Sequence, residues 1–242
     1  MFRYNYHPLK NKERSTLIFL ILFSALIRVP VILTLGDAGL EHEWKAIMEN
    51  LTKHGVFSSI NFDGLLIPNL FMPPLYAFYL YFFSLINLEE QSYVQLILSS
   101  QILLSSISVA VFYKINKIFF SEKISFFSSL IFSIFPLHVY ACSQISSVSL
   151  QSFLTILFFY LFFQFIKKRN FLSIFSFSLT GGLLILLRGE FIAIFILSLS
   201  YLLFFLKIEI KKIFLVSLIT FIIILPYLTR NILIFETVTI TK

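Results

Sequence analysis

Asp37, Glu41, Glu43 and Glu49 are four of the chain's twelve acidic residues, and all fall in one polar stretch, residues 36–55. The same stretch holds Trp44, the only tryptophan, and His42 and His54, two of the four histidines. A carboxylate can act as general base when a hydroxyl nucleophile comes within hydrogen-bond reach. Farther along, Arg188 precedes Gly189-Glu190, and Arg230 stands between Pro226-Tyr227-Leu228-Thr229 and Asn231. A guanidinium carries a fork of N–H donors that matches phosphate oxygens two at a time. The plainer alternatives are a solvated loop helix for the acids and snorkelling to lipid headgroups for the arginines.

The elements that must position these residues are apolar and long. Of 242 residues, 58% are hydrophobic and 13% charged, and the mean hydropathy is +0.92. No soluble domain hides that much apolar surface, so the chain reads as a polytopic membrane protein, an all-α helix bundle. Eight apolar segments can be marked, at about 15–35, 70–88, 94–113, 124–137, 148–166, 171–187, 190–206 and 212–229. Most approach the roughly 20 residues that cross about 30 Å of hydrocarbon. The 124–137 segment is short. Thirty-two phenylalanines, with abundant Ile, Leu, Ser, Lys and Asn, suit an AT-rich bacterial genome.

Positive charge sets sidedness. Arg3, Lys10, Lys12 and Arg14 make residues 1–14 a cytoplasmic N-terminus ahead of a membrane domain, 15–242. The run that follows continues to Leu35, too long for a cleaved signal. Residues 36–69 then form an outer-face loop. Lys167-Lys168-Arg169 and Lys207, Lys211 and Lys212 mark inside turns. The last membrane helix is 212–229, with an outer tail, 230–242. An inside start with Arg230 outside needs an odd number of crossings. One segment within 60–137 is therefore expected to be re-entrant or half-crossing.

Within the first loop Trp44, Ile47, Met48 and Leu51 recur at helical spacing and predict a short amphipathic helix from Glu41 onward. Such a helix would lie on the membrane surface with Glu41 one turn before Trp44 and Glu43 one turn before Ile47. Pro73-Pro74 predict a helix start. Pro136 and His138 read as the boundary of the fourth segment, with residues 143–149 at the outer surface. Arg28, near the middle of the first span, reads as a packing residue. The net charge of +7 lies in short clusters between apolar runs, which excludes a nucleic-acid face. Cys142 is the only cysteine, so there is no intramolecular disulfide and no thiol metal site. No phosphate-binding glycine loop and no Ser–His–Asp elbow occurs.

Four stretches give the chain a resemblance. Glu41-His42-Glu43-Trp44-Lys45-Ala46-Ile47-Met48-Glu49-Asn50-Leu51, followed by Gly55-Val56-Phe57, is one; Pro73-Pro74-Leu75-Tyr76 is the second. Pro136-Leu137-His138 and Pro226-Tyr227-Leu228-Thr229-Arg230-Asn231 complete the set. In this order they resemble GT-C glycosyltransferases of the membrane, in particular the branch of protein O-mannosyltransferases and of lipid A aminoarabinose and galacturonic acid transferases. The resemblance implies a sugar transferase at the outer face of a bacterial cell membrane, using a polyprenyl-phosphate-linked sugar and inverting the anomeric centre. It implies an acid of the first outer loop as general base, Glu41 or Glu43, with Asp37 as a third candidate. Asp37, His42, Arg188, Arg230 and Asn231 would contact substrate. The acceptor would be protein, lipid or glycan, and no metal or other cofactor is called for. Relatives often carry an acid where residues 143–149 have Ser, Gln, Ile and Val, and they continue beyond the Arg-Asn motif. That points to a partner subunit supplying a C-terminal part, or to a non-catalytic subunit of the same fold; a small transporter is the reading from another class.

Overall fold

The computed structural model describes residues 11–40, 42–62 and 65–240, apart from the side chains of residues 42 and 60–62. Ten α-helices and one two-stranded hairpin follow in the described chain. These are α1 (Asn11–Leu35), α2 (His42–His54), β1 (Ile60–Phe62), β2 (Leu65–Ile67), α3 (Pro74–Ser84), α4 (Glu90–Phe119), α5 (Glu122–Ser133) and α6 (Pro136–Ala141). Then come α7 (Val148–Lys168), α8 (Phe171–Leu187), α9 (Phe191–Ser200), a π-helical turn (Tyr201–Phe205) and α10 (Ile210–Phe235). β1 and β2 pair antiparallel, with Ile60 opposite Ile67. Among the described residues α1, α4, α7 and α10 are long and apolar enough to cross a membrane, and α8 and α9 with its π turn are shorter apolar helices. The fold is an all-α polytopic membrane bundle.

Two segments of the sequence reading are shorter in the structure. α3 has 11 residues and α5 has 12, rises of roughly 16 and 18 Å. Each covers about half of a hydrocarbon layer of about 30 Å. α10 runs on through Arg230 to Phe235, with Pro226 inside it.

The chain divides into two compact units, one comprising residues up to 38 with 94–160, the other 39–93 with 161–242. In the first unit the apolar centre is Leu20 of α1 with Val109 and Tyr113 of α4, flanked by Phe126, Leu130 and Phe132 of α5. Along α5, Ser125, Ser129 and Ser133 recur every fourth residue and are fully buried. Their hydroxyls bond back to carbonyls of their own helix or its cap. Small residues with internally satisfied hydroxyls let helices approach closely, and α5 packs on α1.

Arg28 is the centre of that unit and is completely buried. Its Nε donates to Ser105 Oγ of α4 at 2.7 Å. Nη1 donates to Ser24 of α1, the carbonyl at 2.9 Å and the hydroxyl, and to the carbonyl of Ser133 at 3.1 Å. Nη2 lies 2.8 Å from His138 Nδ1. A guanidinium has no acceptor, so Nδ1 accepts, His138 is neutral, and its proton sits on Nε2, 3.4 Å from Ser105 Oγ. The ring of Phe132 stacks on His138 at 4.4 Å. The fourth apolar segment breaks here: α5 ends at Ser133, Pro136 opens the short helix α6, and His138, just past the break, is buried.

The segment after α6 buries Ser143, Ile145 and Ser149. It is tied to neighbours at four points. Gln101 Nε2 donates to the carbonyl of Gln144 at 2.9 Å, and Gln144 Nε2 to that of Leu35 at 2.9 Å. Asp37 Oδ2 accepts from Ile145 N at 2.6 Å, and Asp37 N donates to Ser143 O at 3.1 Å.

The second unit is built on α8 against α10. Gly182 lies in that contact: a Cβ there would stand 2.9 Å from Ile223 Cγ2. Thr220 Oγ1 adds a hydrogen bond to Ser178 O at 3.1 Å. Any side chain at 182 forces the helices apart. Gly182→Ala is expected to destabilise the protein by about 1–3 kcal/mol, as overpacked cores do, and Ile223→Ala in the same chain to recover part of the loss; unfolding in mixed detergent micelles reads both. His138→Leu leaves Arg28 Nη2 without its acceptor and is expected to cost about 1.5–3 kcal/mol, the worth of a hydrogen bond to a charged group. His138→Gln, which keeps an acceptor, should cost less.

Candidate functional site

α2 carries the acids of the first loop, and its orientation follows from its apolar stripe. Ile47 and Met48 are buried, and the edge of Trp44 meets the ring of Tyr76 on α3 at 4.8 Å. Lys45 pairs with Glu90 at 3.6 Å and Glu49 with Lys53 at 3.7 Å, all well exposed. Gly55 (φ +68°) ends the helix in the left-handed region that favours glycine, its N–H on Leu51 O at 3.1 Å. The returning loop is stitched beneath: Asn50 Nδ2 donates to Ser58 O at 3.0 Å, and Asn69 N to Phe57 O at 2.7 Å. Glu43 lies in the first turn, exposed, with no hydrogen bond or ion pair to any described residue. Glu41 lies outside the described residues, and so does the side chain of His42.

One apolar cluster draws four helices of the second unit together. Ile47 of α2, Phe57, Ala77 of α3 and Tyr227 of α10 form its centre, with Trp44, Met72, Leu186 of α8 and Ile240 against it. Leu186 is two residues before Arg188 and Tyr227 three before Arg230. The cluster therefore fixes where the end of α8 and the last turns of α10 emerge beside α2.

Arg188 caps α8. Its N–H bonds to Leu184 O at 2.8 Å while the chain turns extended, and Phe191 N returns to its carbonyl at 3.1 Å. The side chain is half-buried and makes no hydrogen bond or ion pair with any described residue.

Arg230 is half-buried in a box of three rings, 5.2 Å from the centre of Phe235, 5.5 Å from Tyr227 and 5.6 Å from Phe57. Such faces attract a cation electrostatically. Its Nη1 donates to Asn69 O and to Asn231 Oδ1, each at 2.8 Å. Its Nε and Nη2 have no acceptor among the described residues. Asn231 is fully buried and donates Nδ2 to Thr239 O at 2.7 Å, so it holds the segment after α10. Asn69 closes a side-chain turn in the loop ahead of α3: Oδ1 accepts from Phe71 N at 2.7 Å and Met72 N at 3.1 Å. Its Nδ2 is buried without an acceptor among the described residues.

The fold thus joins Arg230 to Asn231 by a hydrogen bond and sets Arg188, Arg230 and the acid-bearing helix on one cluster, all in the second unit. Asp37 belongs to the first unit, where its Oδ2 holds the 143–145 segment. Asn69 and Phe57 carry no chemistry in the sequence; the signal for Asn69 is that asparagine commonly accepts from backbone N–H groups two and three residues on, as it does here from Phe71 and Met72. No three metal-ligating side chains gather among the described residues.

The family model for dolichyl-phosphate-mannose-protein mannosyltransferase matches residues 71–229, about two thirds of the chain. That range runs from just before α3 into α10 and includes Arg188; Asp37, Glu41, Glu43, Arg230 and Asn231 fall outside it. Comparisons with curated proteins and with solved structures return no match. With the match spanning most of a bundle of apolar helices, the chain belongs to the dolichyl-phosphate-mannose-protein mannosyltransferase family, membrane glycosyltransferases of the GT-C type.

Proposed function

We propose that the protein transfers a sugar from a polyprenyl-phosphate carrier to an acceptor hydroxyl at the outer face of the membrane, with inversion. Family membership carries the general statement, a membrane glycosyltransferase that takes a lipid-linked sugar. The observation that carries the finer reading is the single apolar cluster holding α2, the end of α8 and the last turns of α10. Around it stand an exposed carboxylate at Glu43 and guanidinium donors without acceptors at Arg188 and Arg230.

In this reading the acceptor oxygen forms a bond to the anomeric carbon as the bond from that carbon to the phosphate oxygen breaks. The electron pair leaves with the phosphate, and the acceptor proton goes to a carboxylate of residues 41–43. A base within hydrogen-bond reach contributes about 10²–10⁴-fold in rate. The leaving phosphate gains charge as it departs, and preorganised donors aimed at it are worth most in a water-poor site. Among the described residues Arg188 has no acceptor for any of its donors and Arg230 none for Nε and Nη2, and Asn69, whose Nδ2 also lacks an acceptor there, is joined to Arg230 by the 2.8 Å bond to its carbonyl. The lipid tail of the donor accounts for placing such donors at the ends of apolar helices.

The test is transfer of label from polyprenyl-phosphate sugars to acceptors of a membrane lysate by the purified full chain. Transfer is expected for wild type, with a fall of about 10²-fold or more for Glu41→Gln or Glu43→Gln. Arg188→Gln should lower the rate further below wild type than it alters protein yield. No transfer from any donor would overturn the reading, and full activity in both glutamine variants would move the base elsewhere, with Asp37→Asn the next variant. Movement of labelled lipid across the bilayer without transfer would favour a transporter.

A further inference from the structure

One end of the first unit carries more positive charge than its own carboxylates neutralise. Lys12 and Arg14 stand in the first turn of α1, Lys114 and Lys117 near the end of α4, and Lys123 in the first turn of α5. Two carboxylates face them and both are engaged. Glu122 Oε1 lies 3.2 Å from Lys12 Nζ, and Glu13 Oε2 lies 3.1 Å from Lys117 Nζ. Lys114 rests over the ring of Tyr160 at 5.7 Å. Arg14 and Lys123 are exposed and pair with no described residue.

Among these helix ends opens a hollow of about 390 Å³, lined by Lys12, Thr16, Tyr113, Glu122, Lys123 and Phe126. Its charged walls are two lysines and one glutamate, leaving one positive charge. That balance matches a single negative charge better than two, because a dianion would also meet Glu122. Tyr113 and Phe126 supply an apolar floor continuous with the unit's core. Phe119, Phe120 and Phe127 stand exposed close by in the chain, each about half accessible. A cationic hollow with an apolar floor and exposed aromatic neighbours suits an amphiphile: a phosphate in the hollow and acyl chains along the phenylalanines.

We propose that this hollow binds the headgroup of an anionic membrane phospholipid, a phosphodiester carrying one negative charge, with Lys12 and Lys123 on its phosphate. The site lies in the first unit and stands independently of the proposed transfer reaction. The excess of lysine and arginine assigns this end to the cytoplasmic leaflet, where anionic lipids give the membrane its negative surface potential. Inorganic phosphate shares the charge but lacks the acyl contacts.

Native mass spectrometry of the full chain, released from nanodiscs of phosphatidylcholine containing phosphatidylglycerol, reads the proposal. Wild type is expected to retain phosphatidylglycerol over phosphatidylcholine. Lys123→Gln should lower that retention about fivefold, the effect of one cation at an anionic surface, and Lys123→Arg should preserve it. Lys123 is exposed and unpaired, so either variant keeps the fold, which gel filtration follows. Lys211→Gln, at the start of α10, should change nothing. Equal retention of the two lipids by wild type, or equal losses in Lys123→Gln and Lys211→Gln, overturns the site. Displacement of the bound lipid by millimolar inorganic phosphate overturns the lipid assignment in favour of a soluble anion.

Discussion

A charged guanidinium completely enclosed in an apolar bundle must find an acceptor for its donors or the bundle does not form. Arg28 meets that demand without a carboxylate among the described residues, and the architecture of its unit follows from how it does so. Two acceptors come from its own helix, the carbonyl and hydroxyl of Ser24, one from α4 at Ser105, and one from the imidazole of His138. The fifth is the carbonyl of Ser133, the last residue of α5. The last carbonyls of a helix have no partner within it. Ending α5 at Ser133 therefore hands the arginine an acceptor that a continuous helix would have used internally. The short α6, opened by Pro136, then returns His138 to the same cation, with Phe132 stacked on the imidazole. The break between α5 and α6, which looks like a defect in a spanning segment, is the geometry the buried charge requires.

That logic separates what was readable in the sequence from what was not. The long helices were legible because apolar runs of 20 or more residues have one stable form in a membrane. α2 was legible because its stripe at Trp44, Ile47 and Met48 has helical period, and the start of α3 because proline at a first turn loses no hydrogen bond. His138 was read as a segment boundary beside Pro136, and residues 143–149 were placed at the outer face from charge sidedness; neither reading shows what these residues touch. Their partners lie far away in the chain: 110 residues separate Arg28 from His138, and 108 separate Asp37 from Ile145. No local pattern encodes a contact of that span. The serine stripe of α5 is an intermediate case. Its four-residue spacing was visible, and only a helix that must approach another closely gives that spacing meaning.

The acids of the first loop and the two later arginines divided differently. Order and spacing identified the stretch 41–57, the late Pro-x-x-x-Arg-Asn motif and the Arg188 break, and the structure sets parts of all three on one apolar cluster. What spacing could not reveal is which donors are already spent. Asn231 is consumed in holding Thr239 and Arg230, so a polar residue in a recognisable motif has an internal task. Asp37 has an internal task as well, through Ile145.

Counting spent donors ranks the arginines. Every nitrogen of Arg28 is hydrogen-bonded inside its unit, so an incoming anion would have to displace a serine, a carbonyl or the imidazole. Among the described residues Arg230 has spent only Nη1, and its three ring neighbours stand beside the guanidinium while Nε and Nη2 have no acceptor there. Arg188 has spent none on any described residue. A donor that already has an acceptor gains little by exchanging it, whereas a half-buried one without an acceptor gains most of a charge-assisted bond. In the proposed transfer a phosphate would therefore be drawn first to Arg188, and to Arg230 for orientation by a fork held between aromatic faces. Arg28 has no nitrogen left for an incoming anion, because the fold has used all three.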